Sequence, residues 1–287
     1  MENDRKVTWK ANAKVNLFLN VKGKRSDGYH DLEMINARIS LADELVFQPF
    51  GEELVTVVSN DHYLETRTNL VYLIARELME AHQPLGHVTI TVDKRIPAGA
   101  GLAGNSADAA AVIHGLDALF GWNLSKRAKQ AIGLRFGADI PYCLETGPAL
   151  VEGLGERITP LDLDLSDYAV LLVFPKVFVA TEQVFQKGDE TGFVSHDIRP
   201  VLEAIRRKDV PGMIDHLGNS LEEITFSLAP GTKEAKILLT NLTGPRGVVM
   251  TGSGSSVLKI VNKENLSISD QLFSLSDRFS INIFSFS

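Results

Sequence analysis

The sequence predicts a protein of mixed helix and strand folded as two domains, on three observations. At 287 residues the chain exceeds the usual span of one domain. In its first half a strand pattern runs straight into a glycine-rich loop and then into a helix pattern. Beyond about residue 160 a continuous apolar run, YAVLLVF at 168–174, has the character of a buried strand and opens a stretch whose pattern is otherwise mostly helical. The turn formers of RITPLDLDLSD mark the boundary, which gives domains 1–162 and 163–287, and no internal repeat is present.

Composition excludes several classes of function. With 44% hydrophobic and 23% charged residues the chain reads as globular. Its single cysteine, Cys143, forms no internal disulfide, and MENDRKVTWK at the amino terminus lacks the apolar core of a secretory signal, so a cytoplasmic protein is expected. The run at 168–174 is far shorter than the roughly 20 residues of a membrane-spanning helix, so no membrane partner is expected. A formal charge of −7 argues against a broad nucleic-acid surface, where Lys and Arg neutralise phosphates. Any anionic ligand must therefore be held by local features. His62, His82, His87, His114, His196 and His216 show no ligand spacing with acidic residues or Cys143, so no zinc site is expected.

Each element has its own signal. Val88, Ile90 and Val92 alternate with polar residues as in a half-buried strand. The loop IPAGAGLAGNSADAAAVI at 96–113 follows, and Ala109, Val112, Ile113, Leu116, Leu119 and Phe120 then recur on one helix face. Gly99, Gly101 and Gly104 permit backbone angles closed to other residues and let a ligand approach main-chain N–H groups. Ser106 takes the N-cap place, with Asp108 in the first turn. A helix start with unpaired N–H groups suits phosphate, which makes the loop a candidate anion site. Neither a Walker sequence nor a dinucleotide fingerprint is completed here. Glycine and alanine clusters also serve close helix packing, and the residues alone leave that reading open. On pattern alone Lys14, within the alternation of Val15, Leu17, Leu19 and Val21, is an exposed strand residue; Asp139 caps a turn after the helix SKRAKQAIGLRF; and Asn69 caps a helix.

Several separated stretches resemble one family. PAGAGLAGNSADAA is similar to the phosphate loop of the GHMP kinases, the superfamily of galactokinase, homoserine kinase and mevalonate kinase. ANAKVNLFLNVKGKRSDGYHDLEMI, FGADIPYCL, VEGLGERITPL and MTGSGSSVLKIV agree with the branch whose acceptor is methylerythritol carried on cytidine diphosphate, in the non-mevalonate isoprenoid route. The matches run in family order from residue 11 to 261.

The resemblance implies an α+β, two-domain GHMP kinase fold with the active site in the interdomain cleft, and ATP with Mg2+ as cofactors. It implies that Asp139 is the catalytic base and that Lys14 pairs with it, its charge favouring the forming alkoxide and the incoming phosphoryl group. Asn69, Pro97, Gly99, Gly101, Leu102, Gly104, Asn105 and Ser106 match nucleotide-binding positions, and Ser106 is also the candidate metal contact; no carboxylate for the ion is legible in the sequence. Tyr29 and Phe185 match the two walls of a cytosine slot, His30 the residue that hydrogen-bonds the base, and Asn16 and Thr181 polar positions near the acceptor. The expected partner is this small molecule, with the protein a monomer or homodimer. The loop departs from the family pattern: Ala100, Ala103, Asn105 and Ala107 replace glycines and a serine, which bears on catalytic competence and not on fold. Another GHMP acceptor of homoserine or mevalonate type, or a non-catalytic nucleotide-binding relative, are the alternative readings.

Overall fold

A computed structural model describes residues 5–83, 85–264 and 278–287. The chain runs β1 (Val7–Lys24), β2 (His30–Gln48), β3 (Val55–Ser59), a 3-10 turn (His62–Glu65), α1 (Leu70–His82), β4 (Val88–Asp93), α2 (Gly104–Phe120), α3 (Lys126–Phe136), α4 (Ile140–Cys143), β5 (Ala149–Gly153) and β6 (Arg157–Pro160). It continues with β7 (Tyr168–Phe174), α5 (Thr181–Thr191), α6 (Arg199–Arg206), α7 (Val210–Ile214), β8 (Gly218–Asn219), α8 (Glu222–Leu228), α9 (Pro230–Thr243), β9 (Val248–Met250), β10 (Val257–Asn262) and β11 (Ser280–Ser285). The chain divides into two compact units: 1–13, 41–97 and 103–146 form the first, and 14–40, 98–102 and 147–287 the second.

In the first unit β3 pairs in parallel with β4, and β4 pairs antiparallel with the later half of β2, from Glu44 opposite Asp93 to Gln48 opposite Thr89. The alternation of Val88, Ile90 and Val92 appears as alternate burial along β4. Two helices cover these strands. On α1, Val71, Ile74, Ala75, Leu78 and Met79 are buried at the spacing of one helix face. Most of α2 is buried, from Ala107 through Ile113, which its run of alanines allows without overpacking. Gly115 shows how tight that contact is: a Cβ there would stand 2.2 Å from the Phe47 ring. The helix predicted over SKRAKQAIGLRF is α3, with Ser125 accepting from the Ala128 N–H at 3.2 Å as its cap.

The second unit holds the early half of β2 against β5, antiparallel from Leu32 opposite Gly153 to Asn36 opposite Ala149, with β5 turning back into β6. There β1 pairs in parallel with the short β8 through Phe18 and Leu19. A separate antiparallel sheet has the order β11-β7-β10-β9, and β7, the apolar run foreseen as a buried strand, is sealed from Ala169 to Val173. No helix among the described residues is long and apolar enough to cross a membrane.

Candidate active site

The glycine loop carries its polarity in one direction. The carbonyls of Gly99, Ala100 and Leu102 accept hydrogen bonds from the N–H groups of Ser255 (3.3 Å), Ser256 (3.2 Å) and Lys14 (3.1 Å). No main-chain N–H from Ala98 to Ser106 donates to any described residue. Positive φ at Gly99 (67°), Gly101 (73°) and Ala103 (54°) alternates along this stretch, the backbone arrangement that gathers N–H groups into an anion-binding concavity. Helix α2 then opens with Ala103 at its cap position and no side chain bonded to its first turn. Ser106 is thus not the N-cap expected from the sequence but the third residue of the helix. Asp108, expected in the first turn, lies just beyond it and is buried. The displacement comes from Ala103, which ends the loop in a left-handed conformation that a Cβ disfavours and that local sequence does not announce.

The close-packing role of the glycines is also observed, at different atoms. A Cβ on Gly101 would lie 2.4 Å from the Thr251 carbonyl oxygen, and one on Gly252 would lie 2.9 Å from that of Gly101. The second turn, 251–256, is held in place by Asn219, whose side-chain amide donates to the carbonyls of Met250 and Gly252, each at 2.8 Å. A Cβ on Gly99 would meet the Phe178 ring at 2.3 Å.

Lys14 and Asn16 lie in the second unit on β1. Lys14 is not the exposed residue its strand pattern suggested: it is 4% exposed, because β1 is buried on both faces from Ala13 to Val21. Its Nζ donates to Asn16 Oδ1 at 2.8 Å. The Asn16 amide donates to Asn36 Oδ1 at 2.7 Å, and its main-chain N–H to Thr251 Oγ1 at 2.8 Å. A polar side chain inside a strand core needs its hydrogen bonds met; the contacts meet those of Asn16, while the Asn36 side-chain amide nitrogen is buried with no partner among the described residues. Asp139 lies in the first unit, at the cap position of α4, and its side chain makes no cap hydrogen bond, contrary to the turn-capping role read from the pattern.

Also in the first unit, Asn69 does cap α1, its Oδ1 accepting from the Tyr72 N–H at 2.9 Å, while its amide donates to the carbonyls of Leu64 and Thr66. Asn69, Asn105 and Asp108 line one small pocket together with Tyr63, Thr68 and Leu70. Behind it Lys94 sits between two buried carboxylates. Its Nζ donates to Asp43 and, at 2.7 Å, to Asp108 Oδ2. Asp43 also accepts the main-chain N–H groups of Arg95 and Ile96. Asp108 Oδ1 has no partner among the described residues. Burial raises the Asp108 carboxyl to about 7, aided by the charge of Asp43 and opposed by Lys94. Burial pulls Lys94 down, but the two carboxylates outweigh it and hold the ammonium above its ordinary range.

Around the expected cytosine slot the second unit brings His30 and Phe185 together. The two rings stack at 4.7 Å with 27° between planes. Tyr29 is 64% exposed and makes no ring contact with any described residue. Thr181 opens α5, its hydroxyl 2.7 Å from that of Ser253 in the second glycine turn. Asp189, Phe193, Lys24, Lys94, Asp43 and Asn36 carry no functional signal in the sequence, and Asp108 carries one only as a first-turn residue of the helix. Apart from Lys94 and Asp108, which lie 14 positions apart, each acts through a partner remote in the chain.

Residues 69–147 match the model of the GHMP kinases N terminal domain. A relative from Thermoanaerobacter pseudethanolicus, a 4-diphosphocytidyl-2-C-methyl-D-erythritol kinase, is 40% identical over 258 residues, 89% of this chain and 88% of its own. The chain belongs to the 4-diphosphocytidyl-2-C-methyl-D-erythritol kinase family. A second member of that family, from Bacillus cytotoxicus, is 35% identical over 91% of this chain and 90% of its own. A crystal structure of a 4-(cytidine 5'-diphospho)-2C-methyl-D-erythritol kinase superposes with a TM-score of 0.78 at 34% identity, covering 97% of this chain and 99% of that one. A homoserine kinase from Cytophaga hutchinsonii shares the fold, with a TM-score of 0.72 at 14% identity over 98% of this chain and 95% of its own. The fold is therefore the α+β fold of GHMP kinases, and the protein is a small-molecule kinase that uses ATP.

Proposed function

We propose that the protein transfers the γ-phosphoryl group of ATP to the 2-hydroxyl of 4-diphosphocytidyl-2-C-methyl-D-erythritol, acting in the cytoplasm. The observation that carries this beyond family membership is the loop at 98–106, whose carbonyls are spent inside the protein and whose N–H groups are not. Phosphoryl transfer asks for positioning and charge stabilisation rather than covalent chemistry, and such a row of donors supplies both to a triphosphate. The substituted positions leave it intact: Ala103 adopts a left-handed angle, and neither Ala100 nor Asn105 ties up an N–H.

In this reading Asp139 takes the proton of the acceptor hydroxyl as the O–P bond forms, and Lys14 stabilises the charge that develops on the oxygens. Asn16 fixes the direction of the Lys14 ammonium through their 2.8 Å hydrogen bond. Tyr29, His30, Phe185 and Thr181 hold the cytidine end, and Asn69 serves the nucleotide pocket by shaping it, since its own hydrogen bonds are committed to the α1 cap. Magnesium fits the donors that remain. Among the described residues the Ser106 hydroxyl makes no hydrogen bond and Asp108 Oδ1 has no partner, so these two residues would hold the ion, which ordinarily takes one or two protein oxygens and fills its shell with phosphates and water. When bound it neutralises charge on the nucleotide phosphates.

Single-turnover transfer from γ-labelled ATP to the cytidyl acceptor tests the proposal. Wild type should form labelled product, and Asp139→Asn should lower the rate by roughly 10²–10⁴-fold while leaving ATP affinity within about twofold. Absence of product from wild type under conditions where a family member turns over would sink it.

A further inference from the structure

His30 has two ring nitrogens, and the protein commits one. Nε2 lies 2.8 Å from Asp189 Oδ1. An ionised carboxylate only accepts, so the nitrogen facing it carries the proton whether the ring is neutral or charged. Lys24 secures that state: its Nζ donates to the other oxygen of Asp189 at 2.6 Å, and Lys24 and His30 together hold the carboxyl below its ordinary range. The ring cannot turn away, since Phe185 covers one face and Phe193 meets it edge-on at 5.3 Å and 68°. Phe193 reaches that place because residue 188 of α5 is glycine, where a Cβ would stand 2.1 Å from the Phe193 ring. A helix-interior glycine is otherwise costly. Nδ1 makes no hydrogen bond to any described residue, yet it is not sealed inside the protein. It is the polar atom that His30 has left to offer.

We infer that Asp189 is a positioning residue that locks His30 as the Nε2–H tautomer, so that Nδ1 accepts from the 4-amino group of cytosine and excludes uracil. The inference rests on the cytidyl reading above and deepens it. Cytosine presents an amino donor at position 4, and uracil presents a carbonyl acceptor there. A neutral ring held with its proton on Nε2 turns a lone pair toward that position, which pairs with the amine and opposes the carbonyl. Without Asp189 the proton is free to move to Nδ1, and the ring then donates to uracil as readily. Discrimination would thus originate in a carboxylate 159 residues along the chain that never touches the base.

Two measurements on the full chain test this, with Asp189→Ala and Asp189→Asn beside wild type. In the free protein, long-range 1H–15N correlation of the His30 ring should report the Nε2–H form in wild type and a tautomer mixture in Asp189→Ala, with Asp189→Asn, which keeps one acceptor oxygen, between them. By calorimetry wild type should prefer CDP over UDP, and Asp189→Ala should reduce that preference about tenfold, the scale of one hydrogen bond to an ionised group. The acceptor KM should rise by a similar factor with kcat within about twofold. If wild type binds CDP and UDP equally, the cytidyl reading fails. If wild type discriminates but Asp189→Ala keeps both the preference and the single tautomer, the role of Asp189 is overturned and the cytidyl reading stands.

Discussion

Two charge clusters in this protein are built to opposite plans. In the first unit one cation, Lys94, lies between two carboxylates, Asp43 and Asp108, that are fully buried. In the second, one carboxylate, Asp189, lies between Lys24 and His30 and keeps 27% of its side chain exposed. The buried cluster has more negative charge than its cation can balance, so burial drives the Asp108 carboxyl up to about 7. At the open cluster two donors face one acceptor, and the Asp189 carboxyl moves down instead. The difference teaches that the same residue types serve different ends: desolvation makes the first cluster a structural commitment, and solvent makes the second a local orienting device with little bearing on stability.

Removing the cations should separate the two most sharply. Lys94→Met leaves two carboxylates buried without a counter-charge, and chemical denaturation at pH 8 should show a loss of roughly 3–5 kcal/mol. The loss should be smaller at pH 5, where Asp108 takes up a proton. Equal losses at both pH values would break the comparison.

Asp108→Asn sharpens it through pH. Because the folded carboxyl is raised above its unfolded value, the stability it contributes is complete below about 4 and is lost as pH rises through about 7. Wild type should therefore lose stability relative to Asp108→Asn between about pH 4 and 7, and run parallel to it above about pH 8, in melts recorded across that range. The smallest effect belongs to the open cluster: Lys24→Ala should move Tm by no more than about 2 °C, with even that change vanishing at high salt.

Much of the fold was legible because its signals are local. The alternation of Val88, Ile90 and Val92 marked β4, the helical spacing from Ala109 to Phe120 marked α2, and the apolar run at 168–174 marked the central strand β7. Lys14 failed the same test for a physical reason: alternation predicts which face is wet only when one face is wet. Here the second face of β1 is dry: Lys14 donates along the strand to Asn16, and Asn16 and Asn20 are bonded by residues of other elements. Motif resemblance named the loop and proposed Asp139, but it carried no information about the helix cap. Sequence contained no trace of the Asp189–His30 pair or of Lys94 between Asp43 and Asp108, because Asp189, Lys94 and Asp43 have no pattern of their own and His30 and Asp43 meet their partners from far along the chain.

Gly101 and Gly252 stand face to face, each with its missing side chain filled by the other's backbone neighbourhood. Neither can gain a methyl group without displacing main chain, and no change in the other makes room, since neither has an atom to give up. The two turns, 151 positions apart in the sequence, are therefore bound to a shared inheritance: drift can lengthen, shorten or recolour the chain around them, but this one contact admits no compensating pair.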